Sequence, residues 1–312
     1  MNKAHLPRVA LIAGPTASGK SALAIRLAEE ANGCVVNADA SQVYRDLRIL
    51  TARPSPADER RVPHRLFGHV DGANTTYSAA RWAAEARAVI GETVAAGRLP
   101  VIVGGTGMYL RTLLDGIAPV PAIDPAIREA VRALPVADAH ALLAVEDPPA
   151  AIRLAPADTT RVARALEVVR STGRPLATWQ AERAGGIGDS IDLRAVVLLP
   201  DRAVLAERID ARAVAMMAQG ADAEVAALLA RPDIAPAAPV RRAIGVAAIG
   251  ERIAGTLSEH EVLALLQHDT RRYAKRQATW FRNQTPTGWF RSTENNDMNR
   301  SIGLLLRDRW LT

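Results

Sequence analysis

The sequence predicts an α/β protein in which a parallel sheet carries helices on both faces and a helical domain is inserted into the chain. Three observations support this prediction. Short apolar runs alternate with long alanine-rich segments of helical spacing, as in parallel α/β layers. A glycine-rich loop directly follows the first apolar run. The middle of the chain, in contrast, contains helical patterns and loops but no convincing strand.

Four apolar runs are predicted to be buried parallel strands. Each is short, rich in Val, Ile or Ala, and bounded by Gly, Pro or Asp. The runs are residues 9–13, 34–36, 101–103 and 195–199. Residues 21–31 and 78–96 are the clearest helices among the segments between them. Because strands and helices alternate, the crossover connections are expected to be right-handed.

The helical insertion is predicted at residues 115–189, so that the core consists of residues 1–114 and 190–312. Prolines interrupt the first half of this insertion, and the glycine-rich residues 185–188 are typical of a linker that returns to the core. The last third of the chain is helical again and contains most of the clustered arginines. Residues 292–299 are polar and are predicted to form a loop.

Composition narrows the class of protein. The chain has 312 residues, of which 49% are hydrophobic, so it can bury a substantial core and is not disordered. Its net charge of +6 is compatible with nucleic acid, phosphorylated substrates or a basic surface. A single cysteine, Cys34, excludes an internal disulfide and a multi-thiolate zinc site. With no signal peptide and no run of about 20 apolar residues, the expected location is the cytoplasm.

A phosphate-binding loop of the form G-x-x-x-x-G-K-[ST] lies between the first predicted strand and the first predicted helix. That context is the one the motif requires, and it predicts a P-loop NTPase-like core. Glycines let the backbone wrap an anion, backbone N–H groups face it, the lysine adds charge and the last hydroxyl can bind Mg²⁺. A chance match in an ordinary turn is the alternative. The loop residues are Gly14, Pro15, Thr16, Ala17, Ser18, Gly19, Lys20 and Ser21.

Polar residues follow two further strands at their carboxyl ends, where ligands bind in open parallel sheets. Asp39 follows the second strand, and could act as a general base, hold Mg²⁺ indirectly or cap the next helix. Thr106 stands in the Gly104–Gly105–Thr106–Gly107 turn after the third strand, either exposed to a ligand or as a helix N-cap. Because three strand ends carry polar groups, the sequence favours a shared site.

Arginines are clustered in three helical segments. Arg161 and Arg164 are one turn apart, and Arg202, Arg208 and Arg212 follow the last predicted strand. The densest segment is residues 270–282, where helical spacing places Arg272, Lys275, Arg276 and Thr279 on one face. Such a face is either solvent-exposed or in contact with an anion, and the interleaved aromatic residues favour contact with nucleic acid.

The phosphate loop, the polar strand ends and the basic segments are sequence motifs that together resemble the tRNA dimethylallyltransferase (tRNA isopentenyltransferase) family, over almost the whole chain. The most selective are the 104–107 turn and the 270–282 segment, and their order along the chain also agrees. Other matching strings are residues 39–45, 51–54, 63–64, 161–167, 172–176 and 242–245. Two positions depart from the family pattern. Arg53 replaces a lysine, and Val246 stands where an aromatic residue is common.

The resemblance implies a reaction. A dimethylallyl group would pass from dimethylallyl diphosphate to the exocyclic amine of the adenosine immediately 3′ of the anticodon (position 37), releasing diphosphate. The phosphate loop and Arg212 would hold the diphosphate of the donor, with Mg²⁺ on Ser21. Asp39 would act as general base, and Thr106 would hydrogen-bond near the reacting centre.

The resemblance also implies a binding surface for the tRNA anticodon stem-loop, with the helical insertion clasping the anticodon arm. A monomer without membrane contact is expected. The positions implied to contact tRNA are Asp39, Ala40, Ser41, Gln42, Thr106, Arg128, Arg161, Val162, Ala163, Arg164, Ala165, Arg242, Ala243, Ile244, Gly245, Arg271, Arg272, Lys275 and Arg276.

Three alternatives share part of these features. A small-molecule P-loop kinase would use the phosphate loop and a strand-end carboxylate, but it needs neither the basic helix nor the insertion. The second alternative is a nonenzymatic or NTP-gated RNA-binding protein, but the core has no Asn-Lys-x-Asp guanine signature, which argues against a GTPase. An enzyme that prenylates free adenine nucleotides would not need the Arg161–Arg164 pair.

Overall fold

A six-stranded, entirely parallel sheet organises the larger of two structural units. The computed structural model describes residues 6–293 and 298–306. The strand order is β3-β2-β4-β1-β5-β6. The strands are β1 (Arg8–Ala13), β2 (Gly33–Asn37), β3 (His64–Arg65), β4 (Leu99–Gly104), β5 (Asp192–Leu198) and β6 (Phe290–Ser292). The four predicted strands are confirmed, while β3 (His-Arg) and β6 (Phe-Arg-Ser) were not predicted because their residues form no apolar run.

The helices of the described residues are α1 (Lys20–Glu30), α2 (Pro56–Arg61), α3 (Ala79–Ala95), α4 (Gly107–Asp115), α5 (Pro125–Ala133), α6 (Val136–Glu146), α7 (Pro148–Arg153), α8 (Thr159–Thr172), α9 (Leu176–Ala181), α10 (Arg202–Ala218), α11 (Ala221–Leu229), α12 (Val246–Ile253), α13 (Glu259–Gln284) and α14 (Met298–Leu306). None of them is long and apolar enough to cross a membrane. Of the loop predicted at 292–299, residues 294–297 lie outside the described residues. The prediction is wrong at its ends, where β6 ends and α14 begins.

The sheet is covered on both faces, because every residue of β1 from Val9 to Ala13 is fully buried. On one face Ala10 and Ile12 pack in a cluster with residues of α1 and α14, including Leu27 and Leu305. On α3, Trp82 is fully buried and donates a hydrogen bond from its indole nitrogen to the Asn37 carbonyl oxygen at 2.8 Å. Helix α3 is thereby fixed to the end of β2.

The carboxyl ends of the central strands are brought close together. Strands β1 and β4 are neighbours, and the chain passes from β1 to β2 on one side of this pair and from β4 to β5 on the other. Open α/β sheets bind ligands at such a switch point. A Cβ atom on Gly104 would lie 2.1 Å from the Ala38 carbonyl oxygen. Glycine at this position therefore lets the loop after β4 approach the loop after β2.

The smaller unit spans Leu114–Ile187, and the larger one comprises Met1–Leu113 and Gly188–Thr312 in so far as these are described. The smaller unit contains five helices, α5 to α9, and no strand among residues 114–187. Its core includes Val131, Leu143 and Leu166, which are buried against one another. An isolated bridge between Ile117 and Ala184 joins the beginning and end of this unit. It therefore has a hydrophobic core of its own.

Candidate active site

The phosphate loop has the concave backbone that an anion site needs. Gly14 and Gly19 have φ values of 151° and 90°, and Ala17 also lies in the left-handed region at 63°. A Cβ atom on Gly14 would lie 2.5 Å from the Leu198 carbonyl oxygen, so no other residue fits there without movement. The Ser18 hydroxyl is buried and has no hydrogen-bond partner within the described part of the chain. These features leave polar groups available to a bound anion.

Lys20 stands at the start of α1 and lines a pocket of about 1220 Å³. Its ammonium donates a hydrogen bond to the Pro15 carbonyl oxygen at 2.9 Å. Burial, together with the positive charge of Arg212, lowers the pKa of Lys20 to about 8, against an opposing effect of Asp39. A negatively charged ligand would stabilise the protonated lysine and raise this pKa again.

Asp39 lines the same pocket, and no helix follows it directly, so the helix-cap alternative is wrong. Its Oδ1 atom accepts hydrogen bonds from the Ser41 backbone nitrogen at 3.0 Å and the Ser41 hydroxyl at 2.7 Å. The buried Asn37 side chain accepts from the Asp39 nitrogen at 2.8 Å and donates to the Asp39 carbonyl oxygen at 3.0 Å. One carboxylate oxygen is thus held in place, and both hydrogen bonds of the side chain fall on that oxygen.

Thr106 is joined to the Asp39 loop. Its Oγ1 atom accepts a hydrogen bond from the Ala40 nitrogen at 2.9 Å, and its own nitrogen donates to the Ala38 carbonyl oxygen at 3.2 Å. The predicted catalytic pair, Asp39 and Thr106, is therefore brought together by direct contacts between the loops after β2 and β4.

Gln277 joins the phosphate loop to the glycine turn, a role that sequence reasoning missed. It is buried on α13, where its Oε1 atom accepts from the Thr16 nitrogen at 2.9 Å. Its Nε2 atom donates to the Gly105 carbonyl oxygen at 2.9 Å. A single side chain therefore sets the spacing between the anion loop and the turn that carries Thr106. A glutamine within a basic helix has no local pattern that reveals such partners.

We expect Gln277→Met to lower kcat/KM by about 10- to 100-fold, because the partly buried Thr16 nitrogen and the buried Gly105 carbonyl oxygen lose their partners, at roughly 1–3 kcal/mol for a buried group left unpaired. Gln267→Met is a matched control on the same helix, where the glutamine makes a 3.5 Å hydrogen bond to the Asp210 carbonyl oxygen. Steady-state kinetics with circular dichroism would measure both variants. Equal decreases in the two variants would contradict a role in spacing the loops.

The pocket is strongly cationic. Arg212 lines it beside the phosphate loop, and burial together with Arg208 lowers the pKa of its guanidinium. Asp39 and Asp58 are the carboxylates among the described lining residues. The cationic lining residues are Lys20, Arg48, Arg53, Arg61, Arg212, Arg242 and Arg276. An anionic substrate is the ligand that this charge balance favours.

A smaller pocket of about 340 Å³ shares residues with the first one. It is lined by part of the predicted tRNA surface, namely Arg242, Ala243, Ile244, Gly245, Arg272 and Arg276. Two other residues of α13 that were predicted to contact tRNA lie outside both pockets. Lys275 is exposed, and Arg271 forms an ion pair with Asp210 at 3.0 Å.

The predicted tRNA-contacting residues of the smaller unit differ in exposure. Arg128 and Arg161 are exposed, and Arg161 forms an ion pair with Asp158 at 3.1 Å. Val162 and Ala165 are buried in the core of this unit, so the prediction that they contact RNA is wrong for their side chains. They occupy the inner side of α8 because of their helical spacing. The surface of this segment consists of Arg161, Arg164 and part of Ala163.

The fit of the site to Mg²⁺ depends on Ser21. Within residues 6–293 and 298–306 no group of three or more His, Cys, Asp or Glu side chains could hold a metal ion. Mg²⁺ commonly takes one or two protein oxygens and completes its shell with water and substrate phosphate oxygens. The exposed Ser21 in the pocket that Asp39 also lines suits that mode of binding. The residues present therefore fit Mg²⁺ that arrives with a phosphorylated ligand.

The fold and the pocket define a P-loop protein with a carboxylate beside its anion site. Two family models match the chain: "IPP transferase" over residues 42–284 and "Isopentenyl transferase" over residues 7–67. A tRNA dimethylallyltransferase of Sphingopyxis alaskensis is 62% identical over 97% of this chain and 100% of its own length. That of Erythrobacter litoralis is 55% identical over 91% of this chain and 90% of its own. The chain belongs to the tRNA dimethylallyltransferase family.

Solved structures agree. The tRNA isopentenylpyrophosphate transferase of Bacillus halodurans is 31% identical, with a TM-score of 0.67 over 96% of each chain. A eukaryotic dimethylallyltransferase, described as acting on tRNA, has a TM-score of 0.77 at 28% identity and matches 88% of this chain and 70% of its own. The resemblance inferred from the sequence is confirmed, and the kinase alternative is not supported.

Proposed function

We propose that this enzyme transfers a dimethylallyl group from dimethylallyl diphosphate to the exocyclic amine of the adenosine at position 37 of tRNA, immediately 3′ of the anticodon. The observation that carries the proposal is the position of Asp39 in one pocket with the phosphate loop. An anion site and a proton acceptor are the two groups that this reaction needs. Membership of the family makes the chain a prenyltransferase and supports tRNA as its substrate.

On the donor side, the allylic carbon–oxygen bond breaks and its electron pair stays on the diphosphate. Backbone N–H groups of the phosphate loop, Lys20 and Arg212 provide positive charge where that negative charge grows. Mg²⁺ bound by Ser21 would neutralise further phosphate charge. The loop holds the donor diphosphate in this proposal, and no nucleotide is hydrolysed.

On the acceptor side, the amine lone pair forms the new bond to the allylic carbon, and the amine then loses a proton. Asp39 is placed to accept that proton as a general base. Its Oδ1 atom is held by Ser41, which leaves Oδ2 as the oxygen available to the amine. Thr106 accepts a hydrogen bond from Ala40, which lies on the loop that carries Asp39. Thr106 thereby orients the Asp39 loop against the turn after β4.

The acceptor base must leave its stack to reach such a pocket, because its amine is otherwise enclosed by neighbouring bases. In this proposal, the basic residues around the smaller pocket contact the RNA backbone beside the flipped base. The helical unit contacts the anticodon arm through Arg128, Arg161 and Arg164, whose side chains reach its surface. A monomer in the cytoplasm is the form in which we propose that the enzyme works.

The direct experiment is to incubate the purified protein with unmodified tRNA, Mg²⁺ and dimethylallyl diphosphate. Digestion of the RNA and mass spectrometry should then detect prenylated adenosine beside the anticodon. Prenylation of free adenine nucleotides instead of tRNA would contradict the proposed acceptor. ATP hydrolysis or phosphate transfer without prenylation would make the chain a P-loop kinase or ATPase.

The tRNA-binding role of α13 predicts a weaker salt dependence when its exposed cations are removed. We expect the double variant Arg272→Ala with Lys275→Ala to reduce the slope of log Kd against log salt concentration by about 2, because each cation neutralises one phosphate. Filter binding between low and physiological salt would measure the slope. Arg65→Ala is the control, because this arginine lies on β3, outside both pockets, and is paired with Glu92 at 2.8 Å. An unchanged slope in the double variant would leave α13 as a solvent-exposed face.

A further inference from the structure

All four tyrosines of the sequence line the main pocket. They come from different parts of the chain, namely Tyr44, Tyr77, Tyr109 and Tyr273. The chain has only 4% aromatic residues in total, so this concentration is not a general property of the protein. A pocket that bound only the diphosphate would need no such aromatic lining.

The charge balance of the pocket creates a specific problem for the proposed reaction. The cations that favour the diphosphate would repel a carbon atom that becomes positive as the allylic bond breaks. Additional carboxylates would stabilise that carbon but would also weaken binding of the donor diphosphate. The face of an aromatic ring has a negative quadrupole without a net charge, so it attracts a cation at little cost to anion binding.

Tyr109 is the tyrosine best arranged for this role. One face of its ring is stacked on Trp82, with centroids 4.4 Å apart and planes at 16°. Trp82 is fully buried and does not line the pocket, so it lies behind Tyr109 as a rigid support. Tyr109 is also only three residues after Thr106 in the chain, and the charge of Asp39 acts on its hydroxyl.

Two of the other tyrosines, Tyr77 and Tyr273, are less free to stabilise a carbon cation. Arg81 lies 5.6 Å from the ring centroid of Tyr77, and Arg276 lies at the same distance from that of Tyr273. Each of these rings therefore already interacts with a guanidinium. Burial raises the pKa of the Tyr109 hydroxyl, with Tyr44, Asp39 and Glu85 adding to the effect, so the ring stays neutral in solution near neutral pH.

We propose that the face of Tyr109, supported by Trp82, stabilises the positive charge that develops on the allylic carbon of the donor during transfer. This inference rests on the proposed function. Tyr109 compensates for the cationic lining in this proposal, and it acts in the transition state without a role in ground-state binding. The neutral dimethylallyl group of the bound donor gains little from the quadrupole, whereas the cation-like carbon gains much.

The test is to replace Tyr109 by phenylalanine and then by phenylalanines that have one, two and three ring fluorines. These residues have nearly the same shape, but each fluorine weakens the negative quadrupole of the ring. With tRNA and dimethylallyl diphosphate, we expect Tyr109→Phe to keep kcat within about threefold, since it retains the π-face. Across the fluorinated series log kcat should fall steadily, to a total of about 30-fold, which corresponds to ~2 kcal/mol for a desolvated cation–π contact. KM for the donor and Kd for tRNA should stay the same.

The same series at Phe67 is the control, because this partly buried residue packs against the core of the sheet outside the pocket. A flat response at position 109, or an equal response at position 67, would overturn the inference. Thermal denaturation of each variant shows that the fold is retained. If the protein with its natural Tyr109 forms no prenylated adenosine, the proposed function fails. If it does and the fluorine series is flat, only the tyrosine inference fails.

Discussion

Asp39→Asn is expected to lower kcat by a factor of about 10² to 10⁴, which is the usual contribution of a positioned general base. The asparagine oxygen can still accept the hydrogen bonds of Ser41, so the loop after β2 should keep its shape. The amide cannot accept the proton of the adenosine amine. Binding of tRNA and of the donor diphosphate should therefore change little. Single-turnover kinetics with saturating tRNA and donor would separate the chemical step from binding.

Asp58→Asn is the matched control for this prediction, because Asp58 is the other carboxylate of the pocket lining. It belongs to the capping box at the start of α2, where its carboxylate pairs with Ser55. We expect near-normal turnover in that variant. Turnover that is unaffected in Asp39→Asn would remove the assignment of Asp39 as the base, and a similar decrease in both variants would indicate a general electrostatic effect.

Lys20→Met is expected to lower kcat/KM for the donor by about 100-fold, within the range observed when one preorganised donor to a developing anion is removed. The decrease arises because the variant lacks the ammonium group. It is limited because the loop keeps its backbone N–H groups. Affinity for tRNA should be retained. At saturating tRNA, Lys275→Met is the control for the donor step, since this lysine is exposed on α13, lies outside the pocket and is proposed to contact only tRNA. An equal donor affinity in Lys20→Met would exclude a role of this lysine in holding the diphosphate.

The same lysine predicts a pH dependence. Its pKa is lowered to about 8 from 10.5, so it is protonated below pH 8 and becomes neutral as the pH rises through that value. Donor capture requires the charged form, and kcat/KM for the donor should therefore decline above pH 8. Lys20→Met has no such titration, and its profile should lack this inflection. If kcat/KM of the variant declined over the same pH range, the decline would have to be assigned to another titrating group.

The features that were predictable from the sequence are those determined by residues close together in the chain. The spacing of Gly14, Gly19 and Lys20 defined the phosphate loop, and the β-branched residues of β1 and β4 identified buried strands. Family resemblance then supplied roles for Asp39 and Thr106, which residue patterns alone left between a ligand site and a helix cap. The structure places these two side chains on loops that hydrogen-bond each other.

The features that could not be predicted depend on contacts between distant segments. Thr16 and Gln277 are 261 positions apart, and nothing in either local sequence specifies the other. The tyrosines that line the pocket are likewise separated along the chain. The burial of Val162 and Ala165 was in principle accessible, because helical periodicity distinguishes the two sides of α8. The family resemblance covers residues 161–165 as a whole, whereas only one side of this helix reaches the surface.

Helix α13 also fixes the angle between its pocket-facing arginines and its buried glutamine, and no single substitution changes that angle. Arg272 and Arg276 face the smaller pocket, whereas the next residue, Gln277, is buried between the phosphate loop and the glycine turn. An α-helix turns by about 100° per residue. One inserted residue between these positions would rotate the glutamine away from Thr16 while leaving every side chain type in place. The phase of this helix is thus as much a part of the catalytic apparatus as the identity of its residues.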